Sequence, residues 1–585
     1  MIGSPWLKKA TTSFAKVAAV TAAFSLLCGG LSPASAKHCP KPAERWLAGD
    51  FHQHTLYTDG STSFDFVMEK DNEFGLDWWA NSEHGGSRNR DGDGVKWLDT
   101  TKYPVNPILG DNAASGNMWR WQSLRDFVFP DILDARALYP DKRIFSGLEW
   151  NVPGHEHCST AIVAKDAGAI SAFEYQFDKS DTDKSRTGEV TPYGILAKQN
   201  GRDPDTQATK PLGSDRHADA VAACKWMEEQ YKAGTIDNGW IIFAHIERAG
   251  VFKTGSSDGG YNIEHFRDFN NTAPDVCFGF EGAPGHQVND FRGLGNKVTC
   301  VDGVCTSSDF GGTYGGVGYY TAKVGGLWDA LLGEGRHWFN YANSDYHTHW
   351  TAGGDDFYPG EYQKTYVHVI DKNRNGEHDP DEIADGLRSG DAYFVHGDLI
   401  DHLEFSAQSR MELASMGGTL RIKDRYQSRE PLVLTIKFKS PSTNNCVADG
   451  TFVTSCPAPV VDHIDLIAGK ITGKVDSSSP DYTKATNETT KVIATFTADD
   501  WRTDRQGYNV ISYRIKDLDD SMYFRLRGTN VPVNTPHETD EAGNPLPDAL
   551  VTLDKDANGV RKISAAQEAW NDLWFYSNPI FVYVK

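Results

Sequence analysis

The segment 51-FHQHTLYTDG-60 sets His52 and His54 one residue apart and follows them with Asp59. Side chains two apart along a strand share a face, so this histidine pair points one way from a strand end. Two imidazoles with a nearby carboxylate make a donor set for a divalent cation. Incidental histidines on a wet loop would look the same, and the rest of the chain separates the two readings.

Further ligand-type residues stand beside apolar runs. His84 follows the run in 74-FGLDWWANSEH-84, and Glu149 closes 144-IFSGL-148. His157 directly precedes 158-CSTAIVA-164, His245 closes 239-GWIIFA-244, and Asp345 and His347 end 337-HWFNYANSDYH-347. Apolar runs of this length read as strands buried on both faces. Candidate helices such as 217-HADAVAACKWMEEQYKAG-234 and 327-LWDALLGEG-335 lie between them. Strand and helix alternating in this way argue for an α/β barrel or wound sheet. In a parallel barrel the strand ends form one rim, where catalytic groups collect. Imidazoles with carboxylates suit zinc, iron or manganese, and with no thiolates in the set a closed structural zinc site is not implied.

The segments 51-FHQHTLYTDG-60, 82-SEH-84, 147-GLE-149, 244-AHIER-248 and 344-SDYH-347 resemble, in order, the motifs of the PHP (polymerase and histidinol phosphatase) superfamily over about residues 45–400. That resemblance implies an α/β fold, a distorted seven-stranded TIM-like (β/α)7 barrel, with a trinuclear metal centre used mostly for phosphoester hydrolysis. It implies metal ligation by His52, His54, Asp59, His84, Glu149, His245, Asp345 and His347, with Glu149 bridging. The sequence departs from the family in having Glu83 before His84, where aspartate is usual, and Ile246 where proline is common. For a ninth ligand, 154-GHEH-157 offers His155 and His157; His157 is favoured because it abuts the following strand. His349 is assigned to a supporting or solvent-facing position.

Two ions roughly 3.5–4 Å apart can hold a bridging hydroxide and clamp charge developing on phosphorus. A third ion or an arginine would then bind the phosphate oxygens. Arg248, three residues after His245, is the candidate, with a surface ion pair as its other reading. The turn 279-GFEGAPGHQ-287 carries Glu281 and His286, which either bind substrate and move the leaving-group proton or are structural.

The 585 residues suggest two domains, and the net charge of −22 with no basic stripe argues against a nucleic-acid partner. Lys8, Lys9 and Lys16, then 17-VAAVTAAFSLLCGGL-31 and 34-ASA-36, read as a secretory signal over 1–36, with no membrane span elsewhere. The mature chain is therefore expected in the periplasm or outside the cell. Residues 37–400 would form the barrel. From 401 to 585, segments such as 432-LVLTIKFKS-440 and 521-SMYFRLRGT-529 alternate apolar and polar residues, the pattern of an antiparallel β-sandwich. Eight cysteines remain after cleavage, with Cys300–Cys305 and Cys446–Cys456 the expected local disulfides.

A separate stretch, 371-DKNRNGEHDPDE-382, fits a calcium-loop pattern through Asp371, Asn373, Asn375, Glu377, Asp379 and Glu382, with a solvated turn as the alternative. The functional expectation is an exported hydrolase with two or three divalent ions, cleaving phosphate mono- or diesters of a small-molecule or polymer substrate. A metal-dependent hydrolase of carboxylic ester, carbamate or amide bonds, and a metal-stabilised glycan-binding protein, are the alternatives.

Overall fold

The computed structural model describes residues 43–585 except 212–213, 254–258, 290–291, 294–297, 302–303, 308–309, 311, 411, 423–430, 549–556 and 558–562. The expected signal segment and Cys39 lie outside the described residues. Among the described residues no helix is long and apolar enough to cross a membrane.

Seven strands carry the residues singled out above or lead into them: β1 (Glu44–Asp50), β2 (Trp78–Asn81), β3 (Arg143–Asn151), β4 (His157–Val163), β5 (Asn238–Phe243), β6 (Gly279–Ala283) and β7 (Phe339–Ala342). They lie side by side in that order. All four residues of β2 and all six of β5 are buried, as continuous apolar runs require. Trp78, Phe145 and Trp240 pack edge to face beneath the strand ends, with ring centroids 5.0–6.4 Å apart.

Two features depart from a strictly alternating parallel barrel. Strand β4 runs antiparallel to both β3 and β5. A hairpin turn at Val152–Glu156 joins β3 to β4, leaving no room for a crossover helix. Among the described residues no strand ladder joins β7 back to β1, and a parallel bridge, Gln53 to Tyr346, links the segments that follow them. Instead β1 pairs antiparallel with β8 (Gln363–Ile370), and β8 with β9 (Ala392–His396). The architecture is thus a mixed α/β fold with few helices built on one 15-stranded sheet. Local apolar runs report burial but not strand direction or closure, which is why the sequence does not show these departures.

The ladder continues across residue 400. Strand β9 pairs antiparallel with Trp574–Ser577, which leads on to Met522–Thr529, His463–Lys470 and Lys491–Thr497. A five-stranded antiparallel sheet, including His402–Ser409, Leu432–Lys439 and Asn509–Ile515, packs against this extension. Leu403, Phe405, Leu434 and Ile436 of the one share an apolar cluster with Ile464, Leu466, Phe524 and Leu526 of the other. Cys446 and Cys456 are disulfide-bonded, while Cys158, Cys224 and Cys277 are buried thiols. The even cysteine count therefore does not translate into pairing throughout. Cys300 and Cys305 are cross-strand partners in a hairpin, and their side chains lie outside the described residues.

Candidate metal centre

The histidines and carboxylates of the rim converge on two acidic hubs, Glu149 at the end of β3 and Asp345 just past β7. Glu149 Oε1 lies 2.7 Å from His157 Nδ1 and 2.9 Å from His245 Nε2. Its Oε2 lies 3.0 Å from His84 Nε2 and 3.1 Å from His54 Nε2. Asp345 Oδ1 is 3.1 Å from His52 Nε2 and 3.2 Å from His54 Nε2, and its Oδ2 is 2.9 Å from His286 Nε2. Asp59 reaches His84 Nε2 at 3.2 Å, His54 Nδ1 at 3.6 Å and His347 Nε2 at 3.6 Å. All nine residues expected as ligands thus meet in one place.

Strand direction explains how. The parallel strands deliver residues from their C-terminal ends, whereas antiparallel β4 delivers His157 from its N-terminal end to the same rim. His155 faces away, with Nε2 2.9 Å from His217 Nδ1 and Nδ1 donating to the Gly260 carbonyl at 3.0 Å. His349 stacks on Tyr358 and contacts Glu361 and Thr351, outside the centre. His245, His286 and Asp345 hold left-handed backbones at φ 50°, 57° and 45°, a conformation uncommon for non-glycine residues and typical of functional sites. At Gly60 a Cβ would meet the His54 carbonyl oxygen at 2.5 Å, so the loop can fold Asp59 back over His54 only with glycine there.

The contacts are close, yet many are not hydrogen bonds. His52 Nε2, both His54 nitrogens, His84 Nδ1, Glu149 Oε2, His245 Nδ1 and both Asp345 carboxylate oxygens are buried without a hydrogen-bond partner. Buried polar atoms are nearly always satisfied, so such a concentration calls for a missing partner. Donors about 2.1 Å from a shared tetrahedral ion sit roughly 3.4 Å apart, close to the separations seen here. Overlapping sets with ligand atoms within 4.8 Å of one another are His52/His54/Glu149/Asp345, His54/Asp59/His84/His347, His84/Glu149/His157 and His286/His347/Asp356. The donor chemistry fits divalent cations.

Electrostatics agree. Burial opposes the charge on Glu149 and Asp345, but the surrounding imidazoles hold both carboxyls well below the usual range. Burial likewise opposes a charge on His54, yet Asp345 and Glu149 hold its pKa at about 10. Burial, then Arg248, pushes His245 down to about 3. Glu149 and Asp345 thus stay ionised in a buried setting, as carboxylate ligands to a cation must.

The supporting residues are largely unannounced by motif. Glu281 is buried and takes His52 Nδ1 on both oxygens, at 3.0 and 3.2 Å, so it orients His52 instead of facing an open cleft. Asp50 accepts the N–H groups of His52 and Ser344, tying β1 to the segment after β7. Glu83 accepts from Thr55, Thr58 and Asn81. Asp356 takes His286 Nδ1 at 2.6 Å and the N–H groups of His347 and Thr348. Arg248 pairs with Glu156 at 3.1 Å and lies 3.4 Å from His157 Nδ1. Glu281 and Arg248, each close to an apolar run, carried a sequence signal, and Glu83 stood out as the residue before His84; Asp50, Glu156 and Asp356 acquire their role only once the strands are adjacent.

The 371–382 loop is a tight turn. Asp371 accepts the N–H groups of Asn375 and Gly376, Asn373 and Asn375 both donate to Asp379, and Glu377 pairs with Arg143. Asp379 and Glu382 form a reciprocal cap on helix Pro380–Ser389, with Pro380 at the first helical position, where a missing N–H costs nothing.

No family model and no curated protein matches the chain. Among solved structures it is similar to a two-domain protein from Bacteroides vulgatus ATCC 8482 described as containing a predicted PHP-like metal-dependent phosphoesterase. That neighbour shares 12% identity over 88% of this chain and 98% of its own, with a TM-score of 0.30. At this TM-score no residue role transfers, and the ligand geometry stands by itself.

Proposed function

We propose that the protein is a metal-dependent hydrolase of phosphate esters with a multinuclear centre. The observation that carries this reading is the convergence of buried, unpartnered imidazole and carboxylate atoms around Glu149 and Asp345. His54 and Glu149 each belong to two of the overlapping ligand sets, which favours more than one ion. The order of β1 to β7, with the bridge from Gln53 to Tyr346, supports a distorted seven-stranded barrel as the scaffold.

Divalent ions held here would supply Lewis acidity and lower the pKa of water at the site. The chain's own groups do the rest. Glu281 fixes the tautomer of His52 so that Nε2 faces inward. Arg248, held by Glu156, places a positive edge beside His157, where phosphate oxygens would lie. His286, partly exposed between Asp345 and Asp356, is the group placed to pass a proton to a leaving alkoxide. The same reading places the mature protein in an exported compartment, which the Cys446–Cys456 disulfide suits.

The test is metal analysis of the purified protein together with hydrolysis of nitrophenyl phosphate, bis(nitrophenyl) phosphate and nitrophenyl acetate. Metal-dependent release from either phosphate supports the assignment. Turnover of the acetate alone overturns it in favour of carboxylic ester chemistry.

A further inference from the structure

A cavity of about 180 Å³ has a wall that includes Lys179, Arg202 and Arg216 together with His155 and Asn200. It is smaller than a drug-sized pocket and suits one compact group. It shares one turn with the centre, because Pro153, Gly154 and His155 line it and lie between Glu149 and His157. Lys179 donates its backbone N–H to Asn151 at the end of β3 (3.0 Å) and its Nζ to the His155 carbonyl (2.6 Å), two residues from His157. A Cβ on Gly86, two residues past His84, would meet Ser180 of the wall at 3.2 Å.

The arginines are fixed by backbone carbonyls and not by acids. Arg202 donates Nε to the Lys179 carbonyl at 2.6 Å and Nη1 to the Gln207 carbonyl at 3.0 Å, and Arg216 donates Nε to the Lys210 carbonyl. Among the described residues no carboxylate lies within ion-pair distance of either guanidinium, although the chain carries 80 acidic residues against 58 basic ones. The nearby acid Asp219 is taken by Lys210 and the Gly201 N–H. Burial, then Arg202, depresses the Arg216 pKa, so the two guanidiniums repel one another. Asn200 is fully buried with both amide hydrogens bonded to the Asp178 and Asp181 carbonyls, while its Oδ1 has no partner. That acceptor suits a hydroxyl or a singly protonated phosphate.

We propose that this cavity binds a second anionic group of the substrate, a phosphate or carboxylate remote from the bond that is cleaved. This deepens the hydrolase reading and rests on it for the word substrate, but the anion site stands on its own geometry. An enzyme so built prefers esters with two anionic groups over simple aryl phosphates.

Titration calorimetry of the metal-loaded protein with inorganic phosphate and, separately, acetate tests this. Wild type is expected to show a phosphate- or acetate-binding event that Arg216→Gln weakens at least about tenfold, the loss of one charge-assisted contact. Arg216→Lys should restore part of it, and metal content should not change. Asp345→Asn should lose metal yet keep this event. Nitrophenyl phosphate turnover in Arg216→Gln should stay within about twofold, the size of an unrelated surface change. Arg202→Gln serves as the second variant, with thermal unfolding reporting whether its loop survives. Unchanged anion binding in folded Arg216→Gln and Arg202→Gln overturns the proposal, even if phosphate esters are hydrolysed. A protein that hydrolyses no phosphate ester yet loses anion binding in Arg216→Gln keeps the site and loses only the hydrolase reading.

Discussion

At the scale of single residues, the centre depends on two acids doing the work of many. Glu149 and Asp345 each face three or more imidazoles, and both are buried. Replacing Asp345 by Asn keeps the shape but removes a charge and one strong donor. It is expected to cut bound metal measurably and to lower turnover at least about a hundredfold, read by elemental analysis and initial rates. Glu281 acts one step away, through His52. Glu281→Gln should weaken metal affinity roughly 10- to 100-fold while leaving the unfolding temperature of the metal-saturated protein nearly unchanged, which a chelator competition series would measure. Metal binding that is identical in Glu281→Gln would reduce that carboxylate to a buried neighbour.

At the scale of elements, strand ends explain what could be read in advance. His52/His54 and Asp345/His347 announce themselves as close pairs of ligand-type residues just past the ends of β1 at Asp50 and β7 at Ala342, where the strand repeat no longer applies, and His84, Glu149 and His245 because each closes an apolar run. Asp356 lies in an irregular loop, and Asp50 reads as the last polar residue of a strand, so neither has a local signature. His217 and His265 were equally silent. They sit on separate helices, Ser214–Ala233 and Ile263–Thr272, and meet His155 only through helix packing, at ring-centroid distances of 4.5–5.1 Å. His265 accepts the Asn262 N–H at 3.0 Å as part of its helix cap. Burial, then His217, holds its pKa at about 3 against an ordinary value of 6.5. The unfolded chain therefore takes up this proton near pH 6.5 and the folded chain only near pH 3. The stability this neutral ring contributes is present above pH 6.5 and is lost as pH falls toward 3. In urea unfolding, wild type should lose stability over that window more steeply than His265→Gln; parallel curves would contradict the assignment.

At the scale of the molecule, the continuous sheet is reinforced by buried charge. Arg292 is fully buried and donates to Glu568 at 3.1 Å, to Asp572 at 2.8 Å and to the Tyr362 hydroxyl at 2.8 Å, drawing the segment after β6 onto helix Ala565–Asn571. Removing one partner of such a network strands the others in a dry interior. Arg292→Leu should cost about 3–5 kcal/mol, seen as a lower thermal midpoint with metal content per folded molecule retained. The closure of the centre differs: it joins strands at opposite ends of the first seven through Asp50, Asn343 and the Gln53–Tyr346 bridge, with cations as the missing partners. Anomalous diffraction at the zinc, iron and manganese edges, from crystals of the metal-loaded protein, addresses that claim directly. At least two peaks should lie about 2.0–2.3 Å from ring nitrogens among His52, His54, His84, His157 and His245, with Glu149 or Asp345 shared between them. A map with no peak inside that ring of side chains, or with metal only elsewhere on the protein, would contradict the account.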